Sequence, residues 1–187
     1  MSVEIRQKAA LAIPTAMSVA GYELVHDGVD RGITTPVGIT EVFFGRMADL
    51  FDGFIARRYG LATGFGAFAD AALDKKATKE ILDAVSEEGL IPELLETAIK
   101  TQNLSNMALT MAAKVRHPKP ALSPTRNGKR SMFLQGITMG SYALSETVRE
   151  DHPRSAKALR YTGHVMGTVG LFYYGPRTTI DYAARLR

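Results

Sequence analysis

Stretches free of Asp, Glu, Lys and Arg recur along the 187-residue chain, at Ala9–Tyr22, Thr101–Ala113, Ser131–Ser145 and Tyr161–Pro176, each bounded by charged positions. The pattern divides the chain into six helix-length segments, at about 5–25, 35–59, 64–88, 91–114, 129–148 and 157–184. The breaks fall at His26–Gly32, Gly60–Thr63, Gly89–Ile91, His117–Asn127 and Asp151–Arg154, where Gly, Pro and Asn punctuate helices. The fourth break holds Pro118, Pro120 and Pro124 and is the longest. No strand-like alternation of convincing length competes, so the pattern predicts an all-α fold of six helices. No internal repeat, low-complexity tract or Pro/Gly/Ser linker interrupts the chain, which predicts a single domain over residues 1–187.

Hydropathy qualifies this picture. A membrane-crossing helix takes about 20 mostly apolar residues. The charge-free stretches here are shorter, and the third segment carries Lys75, Lys76, Lys79, Glu80, Asp83, Glu87 and Glu88. Mean hydropathy is −0.05, and on that ground alone the chain reads as a soluble helical bundle. Charges at helix ends can instead snorkel to an interface, but Lys79 and Asp83 lie well along the third segment. The absence of cysteine excludes a disulfide framework, a thiolate nucleophile and a zinc–thiolate site. His26, His117, His152 and His164 are scattered without ligand spacing and read as surface or core filler. The formal net charge of +4 is modest, and no nucleic-acid partner is expected.

The chemistry concentrates between Asp49 and Asp74, where the chain reads DLFDGFIARRYGLATGFGAFADAALD. Residues three and four apart share a helix face, so Asp49, Asp52, Gly53 and Ala56 form one stripe and Gly66, Asp70 and Asp74 a second. A turn containing Gly60 and Gly64 separates them, and two helices would point their carboxylates at each other. An Asp at a helix start is ordinarily a cap and a spaced acid pair a solvated face. Four acids set among Phe, Ala, Leu and Gly are different, because an unpaired charge there is costly. Hard divalent cations with oxygen ligands neutralise such a cluster and leave positions for phosphate oxygens. The small residues Gly53, Ala56 and Gly66 leave room for a bulky anion, and Arg57 can contact phosphate bidentately.

This window resembles the CDP-alcohol phosphatidyltransferases, whose signature is D-x-x-D-G-x-x-A-R, eight residues, then G-x-x-x-D-x-x-x-D; all eight fixed positions match with the spacing intact. The text around it, with Ile13-Pro14-Thr15, is most similar to the phosphatidylglycerophosphate synthase branch. Gly128–Gln135 is similar to a later G-K-x-x-T-x-x-Q motif, with Met132 where Thr is usual. The resemblance implies a six-helix bundle that is normally transmembrane, here unusually polar. It implies Asp49, Asp52, Asp70 and Asp74 as ligands of two Mg²⁺ or Mn²⁺ ions, with Asp74 also the general base. Gly53, Ala56, Arg57 and Gly66 would line the CDP pocket. Lys129 and Arg130 are the candidates for an acceptor phosphate, or else a basic loop facing solvent or lipid headgroups. The reaction implied is phosphatidyl transfer from CDP-diacylglycerol to glycerol 3-phosphate with release of CMP. Transfer to inositol phosphate or another alcohol is one alternative, and a polar, degenerate or redesigned non-catalytic relative with the same fold is another.

Partners implied by the resemblance are CDP-diacylglycerol, a small phosphorylated alcohol, membrane lipids and a second copy of the chain. If the segments alternate across a membrane with both termini inside, thirteen basic residues fall inside and five outside. That follows the positive-inside rule and puts the aspartates on the cytoplasmic side of a cell membrane. Arg6 and Lys8 followed by Ala9–Ala20 also read as a signal peptide, although cleavage would remove Ile13-Pro14-Thr15 and export an enzyme whose nucleotide substrate is cytoplasmic. Departures from the family pattern are Ala12 for Asn, Gly21 for Arg, and Lys100-Thr101-Gln102 where an Arg-Glu pair is usual. Met107 and Met111, and Met132 and Met139, recur near helical spacing and read as core filling. Phe172-Tyr173-Tyr174-Gly175-Pro176 reads either as an interfacial aromatic belt or as a helix end packed on a core.

Overall fold

A computed structural model describes residues 3–58, 64–116 and 125–186, and side chains within those ranges except in 3–15, 50, 52–58, 64–71 and 114. Described residues are almost wholly helical, with no strand among them. They form two compact units, Met1–Ala84 and Val85–Arg187. No helix among the described residues is long and apolar enough to cross a membrane.

The first unit is built on helices α1 (Val3–Asp30), α2 (Pro36–Arg58) and the greater part of α3 (Gly64–Glu87). Helices α1 and α2 pack antiparallel through glycines. A Cβ on Gly21 would lie 2.8 Å from the Gly45 carbonyl oxygen, and one on Gly28 would lie 2.6 Å from that of Gly38. The break expected at His26–Gly32 is confined to its end, because Gly28 serves close helix packing and α1 runs on to Asp30. The chain turns instead at Gly32, whose φ of +92° suits glycine. Thr35 then caps α2, its Oγ1 accepting from the Gly38 N–H at 3.0 Å, and Pro36 occupies the first helical position. Val25, Ile33, Val42, Ala77, Ile81 and Leu82 supply the buried apolar surface. Helix α1 is tied to α3 by the Tyr22 hydroxyl, which donates to Glu80 Oε1 at 2.6 Å.

The second unit carries α4 (Glu93–Arg116), α5 (Arg126–Thr147), α6 (Pro153–Thr168), a π-helical segment at Val169–Tyr174 and α7 (Gly175–Ala183), with a final 3₁₀ turn at Ala184–Leu186. The sixth expected segment is thus one continuous helical run containing a π segment. It starts at Pro153 and not at 157, because proline is well placed in a first helical turn. Helix α5 likewise starts three residues earlier than expected, capped by Thr125, whose Oγ1 accepts from the Gly128 N–H at 3.0 Å. Helix α5 runs antiparallel to α6 and the π segment that continues it, with Tyr142 against Gly163 and Leu134 against Gly170.

This unit's core is mixed. Ile99, Met139, Tyr142 and Ala143 are buried beside Ser131, Gln135, Thr138, Ser141, Ser145 and Thr178. Most of these hydroxyls bond one turn back along the same helical run, as Thr138 does to the Leu134 carbonyl at 2.7 Å and Thr178 to that of Tyr174 at 2.8 Å. Such bonds let polar residues sit inside without an orphaned donor. Among the methionines expected as core filler, Met139 is buried, whereas Met111 is exposed. Phe172 and Tyr173 face outward from the π segment. His164 is exposed, yet its Nδ1 lies 2.7 Å from the buried Tyr142 hydroxyl.

Candidate functional site

Helix periodicity puts Arg46 and Asp49 one turn apart on α2, and the packing of the first unit brings Asp74 of α3 beside them. The Arg46 guanidinium lies 2.7 Å from Asp74 Oδ1, through Nη2, and 4.0 Å from Asp49 Oδ2, through Nη1. The side chains are 22% exposed at Asp49, 17% at Asp74 and 33% at Arg46, so the acids are largely withdrawn from water. The three residues share a small cavity of about 10 Å³ with Ser18, Gly21 and Tyr22 of α1, roughly the space one water needs. Gly21, where the family pattern has an arginine, lies at the wall of this cavity, and the guanidinium there comes from Arg46 of α2.

A second polar group adjoins it. Glu80 accepts the Tyr22 hydrogen bond, and His26 Nδ1 lies 3.5 Å from Glu80 Oε2. The Lys76 ammonium sits 4.6 Å from the Tyr22 ring centroid. Burial first, and the Glu80 carboxylate second, hold the Tyr22 hydroxyl above its ordinary ionisation range.

Of the other residues expected here, Asp52, Gly53, Ala56 and Arg57 fall in the last two turns of α2, and Gly66 and Asp70 in the first two of α3. Their side chains lie outside the described residues. Among the described residues no three His, Cys, Asp or Glu side chains gather closely enough to share a metal. Lys129 and Arg130 belong to the second unit, in the first two turns of α5, and both are exposed. The Arg130 guanidinium lies 5.8 Å from the Tyr174 ring centroid. Gln135, the end of the later motif, is buried and accepts from Asn103 Nδ2 at 3.3 Å while its own Nε2 donates to Gln102 Oε1 at 3.4 Å. Gln102, which stands where the Arg-Glu pair was expected, is thus a partner of that motif.

Sequence reasoning missed Arg46, although its position three residues before Asp49 was a usable signal. It also missed Tyr22 and Glu80, which carry no local signal because they meet only across helices.

The family model for CDP-alcohol phosphatidyltransferase matches residues 14–171, a span that contains the Arg46–Asp49–Asp74 cluster. The chain belongs to the CDP-alcohol phosphatidyltransferase family. Two proteins named "Probable phosphatidylglycerophosphate synthase", from Mycobacterium tuberculosis strains CDC 1551 / Oshkosh and ATCC 25618 / H37Rv, are each 36% identical over 98 residues, covering 52% of this chain and 46% of theirs. The match thus spans about half the length of these curated relatives. No solved structure matches the chain.

Members of the family use divalent metal ions and are usually membrane-bound. The donor chemistry of the site fits such an ion, because Asp49 and Asp74 offer hard oxygen ligands from two helices.

Proposed function

We propose that the chain transfers a phosphatidyl group from CDP-diacylglycerol to glycerol 3-phosphate and releases CMP. The observation that carries this reading is the meeting of Asp49 and Asp74 at one cavity, from the two ends of the signature. The signature itself, the family membership and the names of the two relatives support it.

In this reading Asp49, Asp52, Asp70 and Asp74 would hold two Mg²⁺ or Mn²⁺ ions. Bound there, the ions supply charge withdrawal from the diphosphate oxygens and make CMP a better leaving group. Gly53, Ala56 and Gly66 leave room for the nucleotide, and Arg57 takes a diphosphate oxygen. The acceptor hydroxyl oxygen attacks the phosphorus that carries diacylglycerol, the bond from that phosphorus to the CMP oxygen breaks, and Asp74 takes the hydroxyl proton. A lone pair of Asp74 must be clear of Arg46 for that step. Lys129 and Arg130 take the acceptor's phosphate. We place the reaction at the cytoplasmic face of a cell membrane, with the chain acting as one domain over residues 1–187 and as a homodimer.

A second reading, a non-catalytic relative that keeps the fold, is favoured by the Arg46–Asp74 bond and by the small size of the cavity. Product analysis separates the two. Full-length protein is incubated with CDP-diacylglycerol, Mg²⁺ and, in turn, radiolabelled glycerol 3-phosphate, inositol phosphate and unphosphorylated alcohols. Label entering a phospholipid from glycerol 3-phosphate alone is the expected result. Label from a different acceptor reassigns the substrate, and label from none supports the non-catalytic reading.

A further inference from the structure

The Arg46 guanidinium engages an Asp74 oxygen that would otherwise be open to a metal, and it lies close to Asp49. Its Nη2 is within strong hydrogen-bond distance of Asp74 Oδ1, at 2.7 Å, and its Nη1 reaches Asp49 Oδ2 at 4.0 Å. A guanidinium and a metal ion compete for the same carboxylate lone pairs, since both need them at short range. The cavity these groups share is about 10 Å³, too small for an ion with its ligand waters unless the Arg46 side chain moves. Arg46 is one-third exposed, so its long stem has a route outward to solvent.

We propose that Arg46 is a resident counter-cation of the acid pair, and that divalent metal enters by displacing its guanidinium. This rests on the reading of Asp49 and Asp74 as metal ligands. Without metal, Arg46 keeps two largely buried carboxylates from repelling each other and so holds α2 against α3. With metal, the ion takes over that task and the guanidinium swings outward. Arg46 thereby sets the metal concentration at which the site fills. It is a positioning residue and touches no reacting atom.

A purely structural tie makes the opposite prediction from a competitor. Removing a tie loosens the acid pair and weakens metal binding, whereas removing a competitor strengthens it. Mn²⁺ binding to the full-length chain, read by calorimetry and by the electron paramagnetic resonance of free Mn²⁺, distinguishes them. Arg46→Gln and Arg46→Met are expected to bind Mn²⁺ about fivefold more tightly than the unaltered protein, the size of a favourable, partly exposed ion pair. Both are expected to melt at a lower temperature without metal and to gain more from added Mn²⁺. Arg46→Lys keeps the charge but loses the planar fork and is expected between them; should the neutral variants fail to fold, it must still bind more tightly than the unaltered protein. Equal or weaker Mn²⁺ binding in folded variants overturns the competition while leaving the metal site standing. No Mn²⁺ binding by the unaltered protein or any Arg46 variant overturns the metal-site reading and this inference with it.

Discussion

Gly21 of α1 and Gly45 of α2 touch backbone to backbone: a Cβ on Gly45 would fall 2.4 Å from the Gly21 carbonyl oxygen and 2.8 Å from Val25 Cγ2. The contact fixes the register of the two helices immediately beside Arg46, and through it the position of the acid pair. Gly45→Ala should therefore act twice. Overpacking against an immobile backbone is expected to cost about 2 kcal/mol in urea denaturation, and the shifted α2 should weaken Mn²⁺ binding. A variant as stable as the unaltered chain would show that the helices do not depend on this contact.

Tyr22 and Glu80 join α1 to α3 by a hydrogen bond of 2.6 Å. Tyr22→Phe removes a hydrogen bond to a carboxylate and should cost about 2 kcal/mol. Its pH dependence has a definite sign. The folded-state pKa is raised above the ordinary value of 10.0, so the unfolded chain ionises first. The contribution of Tyr22 is then fully present below that value and lost as pH rises past it through the folded-state pKa. Denaturation curves at neutral and strongly alkaline pH should show this loss, and it should be smaller in Tyr22→Phe.

In the second unit, Gln135 is 3% exposed and bonds to both Gln102 and Asn103. Gln135→Leu leaves two part-buried amides short of a partner, and an expected cost of about 2 kcal/mol follows from their desolvation. Gln102→Leu in the same background should recover part of it, because replacing both partners is milder than orphaning one. Simple additivity of the two substitutions would contradict the coupling.

Val37, Phe44 and Phe51 recur at steps of seven along α2, each more than half exposed, with Phe43 beside them. An exposed apolar stripe of this kind marks an interaction surface. If it meets lipid, Phe44→Ser combined with Phe51→Ser should reduce co-sedimentation with phospholipid vesicles while helical circular dichroism stays unchanged. Undiminished sedimentation would assign the stripe to something other than lipid.

The helical architecture was legible because charge-free stretches, glycines and prolines mark helices locally. The acid signature was legible because its spacing survives intact on two adjacent segments. What escaped was everything made by contact between helices. Gly28 reads as a breaker in the sequence but packs inside α1 against Gly38. Arg46 reads as one more charge on α2 until α3 brings Asp74 to it. The buried Ser131, Gln135 and Thr138 depress mean hydropathy although they face inward, so an average over composition cannot tell an interior polar seam from a solvated surface.

The central claim is that the acid pair serves phosphatidyl transfer, and release of CMP from CDP-diacylglycerol tests it most directly. With Mg²⁺ and glycerol 3-phosphate, the unaltered protein should release CMP, chelation by EDTA should stop it, and Asp74→Asn should abolish it while retaining the helical fold. Failure of the unaltered protein to release CMP with any acceptor, or full release by Asp74→Asn, would contradict the account.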